Sequence, residues 1–203
     1  MQKYYTVDIS GKKVDLPILP IGNGINIAFF NLHGAQALTE HCARHVANLV
    51  DGAEVILTAE SKGLQLAHCV ARLLNHDFYA VARKSKKLYM QDGIEVTVQS
   101  ITTKNIQTLY LSAHDVKLLK GKKVAIIDDV VSTGGSLLGR EELVKKAGGE
   151  VMVKAFVLAE GEAADRDDNF RAEIAAHGWL APEAIIVFDK ITENSLDTVS
   201  DRD

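Results

Sequence analysis

Asp128 and Asp129 stand side by side at the end of the apolar residues in VAIIDDVVSTGGS, residues 124–136. Adjacent carboxylates repel each other, so the pair needs a partner. A vicinal diol suits it. Each carboxylate accepts hydrogen bonds from hydroxyls, and a divalent cation can share the negative charge. Val130 and Val131 then lead into Ser132-Thr133-Gly134-Gly135-Ser136. The glycines permit a tight turn, the hydroxyls donate, backbone N–H groups converge, and a helix opening there adds partial positive charge. Such a segment cradles a phosphate. A diol clamp just before a monophosphate cradle describes a ribose 5-phosphate.

Two other segments carry matching chemistry. Glu60-Ser61-Lys62-Gly63 follows a second apolar run, with an acid, a cation and a glycine in four residues. Arg83-Lys84-Ser85-Lys86-Lys87 concentrates positive charge, and lysines act on phosphate as mobile point charges. Weaker signals fall away. Gly134 and Gly139 have the spacing of a nucleotide-binding P-loop, but Arg140 replaces its lysine and falls inside a helix. Gly22-Asn23-Gly24 lacks the third glycine of a dinucleotide loop. His41 and His45 are four apart on a helix but have no third ligand, so they read as packing residues.

The elements that must position these groups follow from periodicity. Residues 1–34 are short extended pieces broken by Pro17, Pro20, Gly22 and Gly24. Ala35, Leu38, Cys42, Val46 and Leu49 mark an amphipathic helix. The spacing then predicts a strand at 54–59, a helix at 64–74 and a strand at 78–82. Residues 84–112 change character, with weak alternation at 94–101 and 106–111, and read as a long hairpin or loop. A strand at 123–127, a helix at 136–147 stopped by Gly148-Gly149, and strands at 151–159 and 184–188 complete the pattern. Strands alternating with longer helices mean βαβ units and a parallel sheet flanked by helices. Ligands of such sheets sit beyond the carboxyl ends of the strands, where both loops above belong.

Composition sets the class. The chain has 203 residues, 47% hydrophobic and 25% charged, with a net charge of −4, as expected for one soluble domain. A negative net charge argues against nucleic acid as a partner. There is no run long enough for a membrane span and no secretory signal, so a cytoplasmic protein with two reduced thiols, Cys42 and Cys69, is expected.

Residues 124–136 resemble the phosphoribosyl pyrophosphate motif of type I phosphoribosyltransferases at every position. The segment 60–63 is similar to the pyrophosphate loop of the purine enzymes, which implies a cis peptide at Glu60–Ser61 and puts Lys62 at the leaving group. Arg83-Lys84-x-Lys86-Lys87-Leu88 resembles a cluster of adenine phosphoribosyltransferases and implies pyrophosphate contacts from Arg83, Lys84 and Lys87. The resemblance implies a pentosyltransferase of purine salvage that uses Mg²⁺, held by Asp128 and Asp129 directly or through ribose hydroxyls or water. On it, Asp128, Asp129 and Lys87 are catalytic, and residues 60–63 and 130–136 bind substrate. It also implies a hood from residues 1–34 and about 162–190 with Phe188 against the base, a mobile hairpin at 84–112, and a homodimer. Adenine enzymes carry Ser-Leu-Glu-Tyr in the hairpin, whereas this chain has Ser100-Ile101-Thr102-Thr103. Adenine, xanthine, and a non-catalytic sensor of phosphoribosyl pyrophosphate therefore stay open.

Overall fold

The computed structural model describes residues 3–22, 25–99, 106–131, 135–160, 190–191 and 200–201. Its centre is a parallel sheet of five strands: β4 (Val55–Ala59), β5 (Ala80–Ala82), β8 (Lys123–Val131), β9 (Glu150–Glu160) and β10 (Lys190–Ile191). Their order is β10-β9-β8-β4-β5. Four helices lie among the described residues: α1 (Gln36–Leu49), α2 (Leu64–Leu73), α3 (Ala113–Leu119) and α4 (Gly135–Ala147).

Alternation along the strands sorts the core into two layers. Ile56, Ala125 and Ile127 pack with Cys42, Val46, Leu66 and Val70 of α1 and α2. Val55, Leu57, Val124 and Ile126 point the other way, against Leu119 of α3 and Leu137, Leu143 and Val144 of α4. A period of two in the strands thus meets apolar stripes on both sides, which is why these strands read as nearly continuous hydrophobic runs. Cys42 lies in this core, and burial pushes its thiol up to about 12; Cys69 is half-buried, and both are free.

Chain direction creates the crevice. From β4 the chain moves outward to β5; from β8 it moves the opposite way to β9. The carboxyl ends of β4 and β8 therefore flank a topological switch point, where loops diverge and leave room for a ligand. The loop after β4 holds residues 60–63, and the end of β8 holds Asp128 and Asp129.

Two antiparallel units attach to this core. β1 (Lys3–Ile9), β2 (Lys12–Gly22) and β3 (Ile25–Ala28) form a meander, with β11 (Ser200–Asp201) pairing to β1. Val7, Ile9 and Leu16 bury into the α1/α2 layer and tie the meander down. His41 contributes too, with Nε2 2.6 Å from the Ile9 carbonyl oxygen, which fits its reading as a packing residue. β6 (Ile94–Gln99) and β7 (Ile106–Leu111) form the expected hairpin. It lies on α4 because Gly139 has no side chain: a Cβ there would sit 2.9 Å from Leu109 Cδ1. The hairpin tip at 100–105 falls outside the described residues.

Two elements differ from the sequence reading. β8 does not stop at Ile127. Its β-branched Val130 and Val131 keep pairing with Leu158 and Ala159 of β9, so the acid pair lies within the strand. The second difference is α3, hidden by its short length. Ser112 caps it, accepting from the Asp115 backbone N–H at 3.2 Å, while Asp115 accepts from the Ser112 N–H at 3.2 Å. Asp115 also accepts from the Val81 N–H at 3.3 Å and so pins α3 to β5. Ser112→Ala should cost about 1 kcal/mol. Urea denaturation of the two proteins would read this directly; equal midpoints would mean that the cap contributes nothing.

Candidate active site at the strand switch point

Asp128 and Asp129 are held in different ways. Asp128 Oδ2 accepts from Arg140 Nη1 at 2.7 Å, and its Oδ1 accepts from the Asp129 backbone N–H at 3.0 Å. Arg140, in the second turn of α4, is only 2% exposed; its Nε donates to the Ser136 carbonyl at 3.2 Å, and its guanidinium lies 5.8 Å from the Phe156 ring centroid. Asp129 is 4% exposed and its Oδ2 has no hydrogen-bond partner among the described residues. Burial pushes its carboxyl up to about 7, and the Asp128 charge adds to this, while Lys62 pulls the other way. Asp129 thus gains and loses its proton near neutral pH, and a cation or hydroxyl donors arriving there would favour its charged form.

The loop after β4 comes up against this pair. A Cβ on Gly63 would collide with Asp128 Oδ1 and Thr58 Oγ1, so only glycine fits there. Thr58 is fully buried and its hydroxyl lacks a partner among the described residues. The Glu60–Ser61 peptide is cis, as the resemblance implied. Glu60 braces the loop sideways: Oε1 accepts from the Lys84 N–H at 2.7 Å, and Oε2 pairs with Arg83 Nη2 at 3.1 Å. Lys62 Nζ lies 5.0 Å from the Phe29 ring centroid, which places its charge between the meander and the acids.

The structure therefore gathers Asp128, Asp129, Lys62 and Gly63 at one crevice, with Glu60, Arg83 and Lys84 beside it. Arg83 is engaged: besides Glu60 it donates from Nη1 to the Tyr89 hydroxyl at 3.1 Å, and its backbone bridges Tyr110. Its Nε is buried without a partner among the described residues. Lys87 is half-buried in the turn after the cluster, where its carbonyl accepts from the Met90 N–H at 2.9 Å. Ser136 lies in the first turn of α4, and Gly135 opens that helix. Ser132, Thr133, Gly134 and Phe188 lie outside the described residues. The sequence reading missed Arg140, Thr58 and Phe29 as site residues. For Arg140 a signal existed: four residues after Ser136, it is one helical turn on and faces back toward the strand end. Phe29, at the end of β3, had none beyond its aromatic type.

Comparison with known proteins places the chain in a family. The phosphoribosyl transferase domain family matches residues 31–175. An adenine phosphoribosyltransferase of Methanococcus maripaludis is 28% identical over 130 residues, 63% of this chain and 72% of that one. A hypoxanthine/guanine phosphoribosyltransferase of Methanococcus voltae is 31% identical over 146 residues, 71% of each chain. A xanthine phosphoribosyltransferase of Exiguobacterium sp. is 32% identical over 143 residues, 69% of this chain and 72% of that one. Among solved structures, adenine phosphoribosyltransferase from Thermoanaerobacter pseudethanolicus shares the fold, with a TM-score of 0.63, 20% identity, and coverage of 87% of this chain and 95% of that one. The fold and the switch-point site define an α/β protein of the type I phosphoribosyltransferase class. The chain belongs to the phosphoribosyl transferase domain family.

Two outcomes follow from the geometry. Gly63→Ala forces Asp128 or the loop to shift and should destabilise the protein by about 1–3 kcal/mol in urea denaturation; an unchanged midpoint would mean the contact is slack. The pH dependence of Asp129 has the opposite sign to that of an ion-paired carboxylate. Its folded value, about 7, lies above the usual carboxylate range, so the folded protein keeps a proton that the unfolded chain has lost. The stability this gives is full below pH ~4 and is lost as pH rises through about 7. The stability of the protein minus that of Asp129→Asn should therefore fall between pH 5 and 8. The slope is at most about 1.4 kcal/mol per pH unit. A flat difference would show that Asp129 is ionised throughout.

Proposed function

We propose that the protein transfers the 5-phosphoribosyl group of phosphoribosyl pyrophosphate to a purine base, adenine first, giving a nucleoside 5′-monophosphate and pyrophosphate. The observation that carries this reading is the contact of Gly63 with Asp128. It brings the loop suited to pyrophosphate directly against the acids suited to ribose hydroxyls. In the reaction the bond from the anomeric carbon to pyrophosphate breaks, and a bond to a purine nitrogen forms. Positive charge builds on the sugar between the two. Asp128 and Asp129 orient the hydroxyls and sit near that charge. Lys62, with Lys87 from the next loop, neutralises the leaving pyrophosphate. Leaving its place over Phe29 to do so, Lys62 frees an aromatic face on which a purine can stack. The hairpin of β6 and β7 closes the site and keeps out water, which would compete as nucleophile.

The acids also fit Mg²⁺. No group of three or more metal-ligating side chains is gathered among the described residues, while Asp129 has an open, buried carboxylate oxygen. That donor set suits an ion carried in by pyrophosphate and ribose oxygens, with Asp128 and Asp129 holding it directly or through water. Mg²⁺ bound there would supply charge neutralisation at the leaving group. Adenine is favoured by residues 83–88 and by relatives of that name; xanthine is the runner-up, since Thr102 stands where adenine enzymes have an acid. A cytoplasmic homodimer is part of the same proposal. Leu88 and Tyr89 are 98% and 70% exposed beside the basic cluster, a surface that a second copy would cover.

The assay is incubation with phosphoribosyl pyrophosphate, Mg²⁺ and each purine in turn, scored for nucleotide. Nucleotide from adenine in preference to xanthine, hypoxanthine and guanine is the expected result. Asp129→Asn should lower kcat/KM at least tenfold while the protein stays folded. Tight binding without nucleotide from any base would instead identify a sensor.

A further inference from the structure

Arg140 is the largest fully buried side chain among the described residues that carries a charge. Burying a guanidinium is costly unless it is paired and hydrogen-bonded. Here the planar fork is used at two points: Nη1 on Asp128 Oδ2 at 2.7 Å and Nε on the Ser136 carbonyl at 3.2 Å. The first partner belongs to the candidate diol clamp. The second belongs to the first turn of the helix behind the phosphate cradle. Phe156 lies behind the guanidinium, 5.8 Å from centre to centre, and limits its movement.

Both oxygens of Asp128 are consequently fixed. Oδ2 is held by Arg140; Oδ1 accepts the Asp129 N–H and rests against Gly63. Asp129 is the opposite, with Oδ2 unpartnered and buried. We propose that Arg140 is a positioning residue: from the second turn of α4 it locks the orientation of Asp128 and ties it to the first turn of that helix at Ser136, leaving Asp129 to present the open acceptor. The inference rests on the ribose 5-phosphate reading of this site. Its consequence is that the two ends of a ribose 5-phosphate are read at a fixed separation. A lysine could not do the same, because a single ammonium lacks the fork that reaches both a carboxylate and a carbonyl.

The test compares the wild-type protein with Arg140→Met, Arg140→Lys, Asp128→Asn and the double variant Arg140→Met/Asp128→Asn. Calorimetry measures binding of phosphoribosyl pyrophosphate with Mg²⁺ and of ribose 5-phosphate; steady-state kinetics separates KM for each substrate from kcat. Arg140→Met should weaken both ligands by roughly tenfold to a hundredfold, since a charge-assisted contact is lost. KM for the base should change less than about twofold, because Arg140 is remote from that end. Arg140→Lys should recover part of the loss. The double variant should bind no worse than Arg140→Met, because Asp128 is already released. If Arg140→Met does not fold, Arg140→Lys and the charge-balanced double variant carry the comparison. Wild-type affinity in Arg140→Met with only a lower urea midpoint, or losses that multiply in the double variant, overturn the proposal. A wild-type protein that binds neither ligand sinks the reading of the site and this inference together. Wild-type binding with an unaltered Arg140→Met sinks the inference alone.

Discussion

Repulsion between Asp128 and Asp129 is the constraint around which the site is organised. Two adjacent carboxylates in a low-dielectric strand end cannot both ionise freely, so the fold has to separate their fates. It does so by giving them different neighbours. Arg140 comes from behind, out of α4, and pairs with Asp128. Asp129 receives no such partner and is left poised around neutral pH, with Lys62 near enough to feel its charge. Among the described residues, Asp129 Oδ2 and Thr58 Oγ1 are both left buried without a partner beside Gly63 and Asp128, and those atoms are open to the chemistry a ligand would bring.

Other features follow from keeping that pair in place. The acids lie beyond the pairing of β4 with β8, which ends at Leu57 and Ile126, so that side needs another neighbour, and Gly63 supplies one by close approach of its backbone. The loop that carries Gly63 must then be held in turn. Glu60 does this by reaching to Arg83 and to the Lys84 N–H, which links the loop after β4 to the loop after β5. On the other side, Gly139 lets the hairpin settle on α4, the helix that also bears Arg140. Placement of the hairpin and orientation of the acids therefore depend on the same helix.

Much of the core was legible because its signals are local. Apolar runs fixed the buried strands, three- and four-residue spacing fixed α1 and α2, and the order of residue types in 124–136 and 60–63 marked both loops. What escaped is tertiary. Nothing near Asp128 in the sequence says that its counter-ion stands twelve residues on, inside a helix; the same arginine was noticed only as a failed P-loop lysine. Nothing near Arg83 says that Glu60 occupies it. The extension of β8 through the acids was missed because charge was taken as a strand end, while pairing of Val130 and Val131 with β9 outweighed it. Helix α3 was missed because seven residues carry little periodic signal, although its capping box was written in Ser112 and Asp115.

The division of labour along the ligand explains why one scaffold accompanies relatives named for different bases. On the proposed reading, sugar, phosphate and pyrophosphate meet the acids, α4 and the loop at 60–63, parts that depend on each other through Gly63, Glu60 and Arg140. A change in one strains the rest, so this half of the site has little freedom. On that reading the base meets the meander that ends at Phe29, which is tied to the core by apolar packing at Val7, Ile9 and Leu16 and not through the acids. That half can change its side chains without disturbing the charge balance at Asp128 and Asp129. Lys62 spans the two halves, lying over Phe29 while its charge is felt at Asp129. Arrival of pyrophosphate would draw it to one side and uncover the aromatic face on the other, so filling the constrained half prepares the variable one.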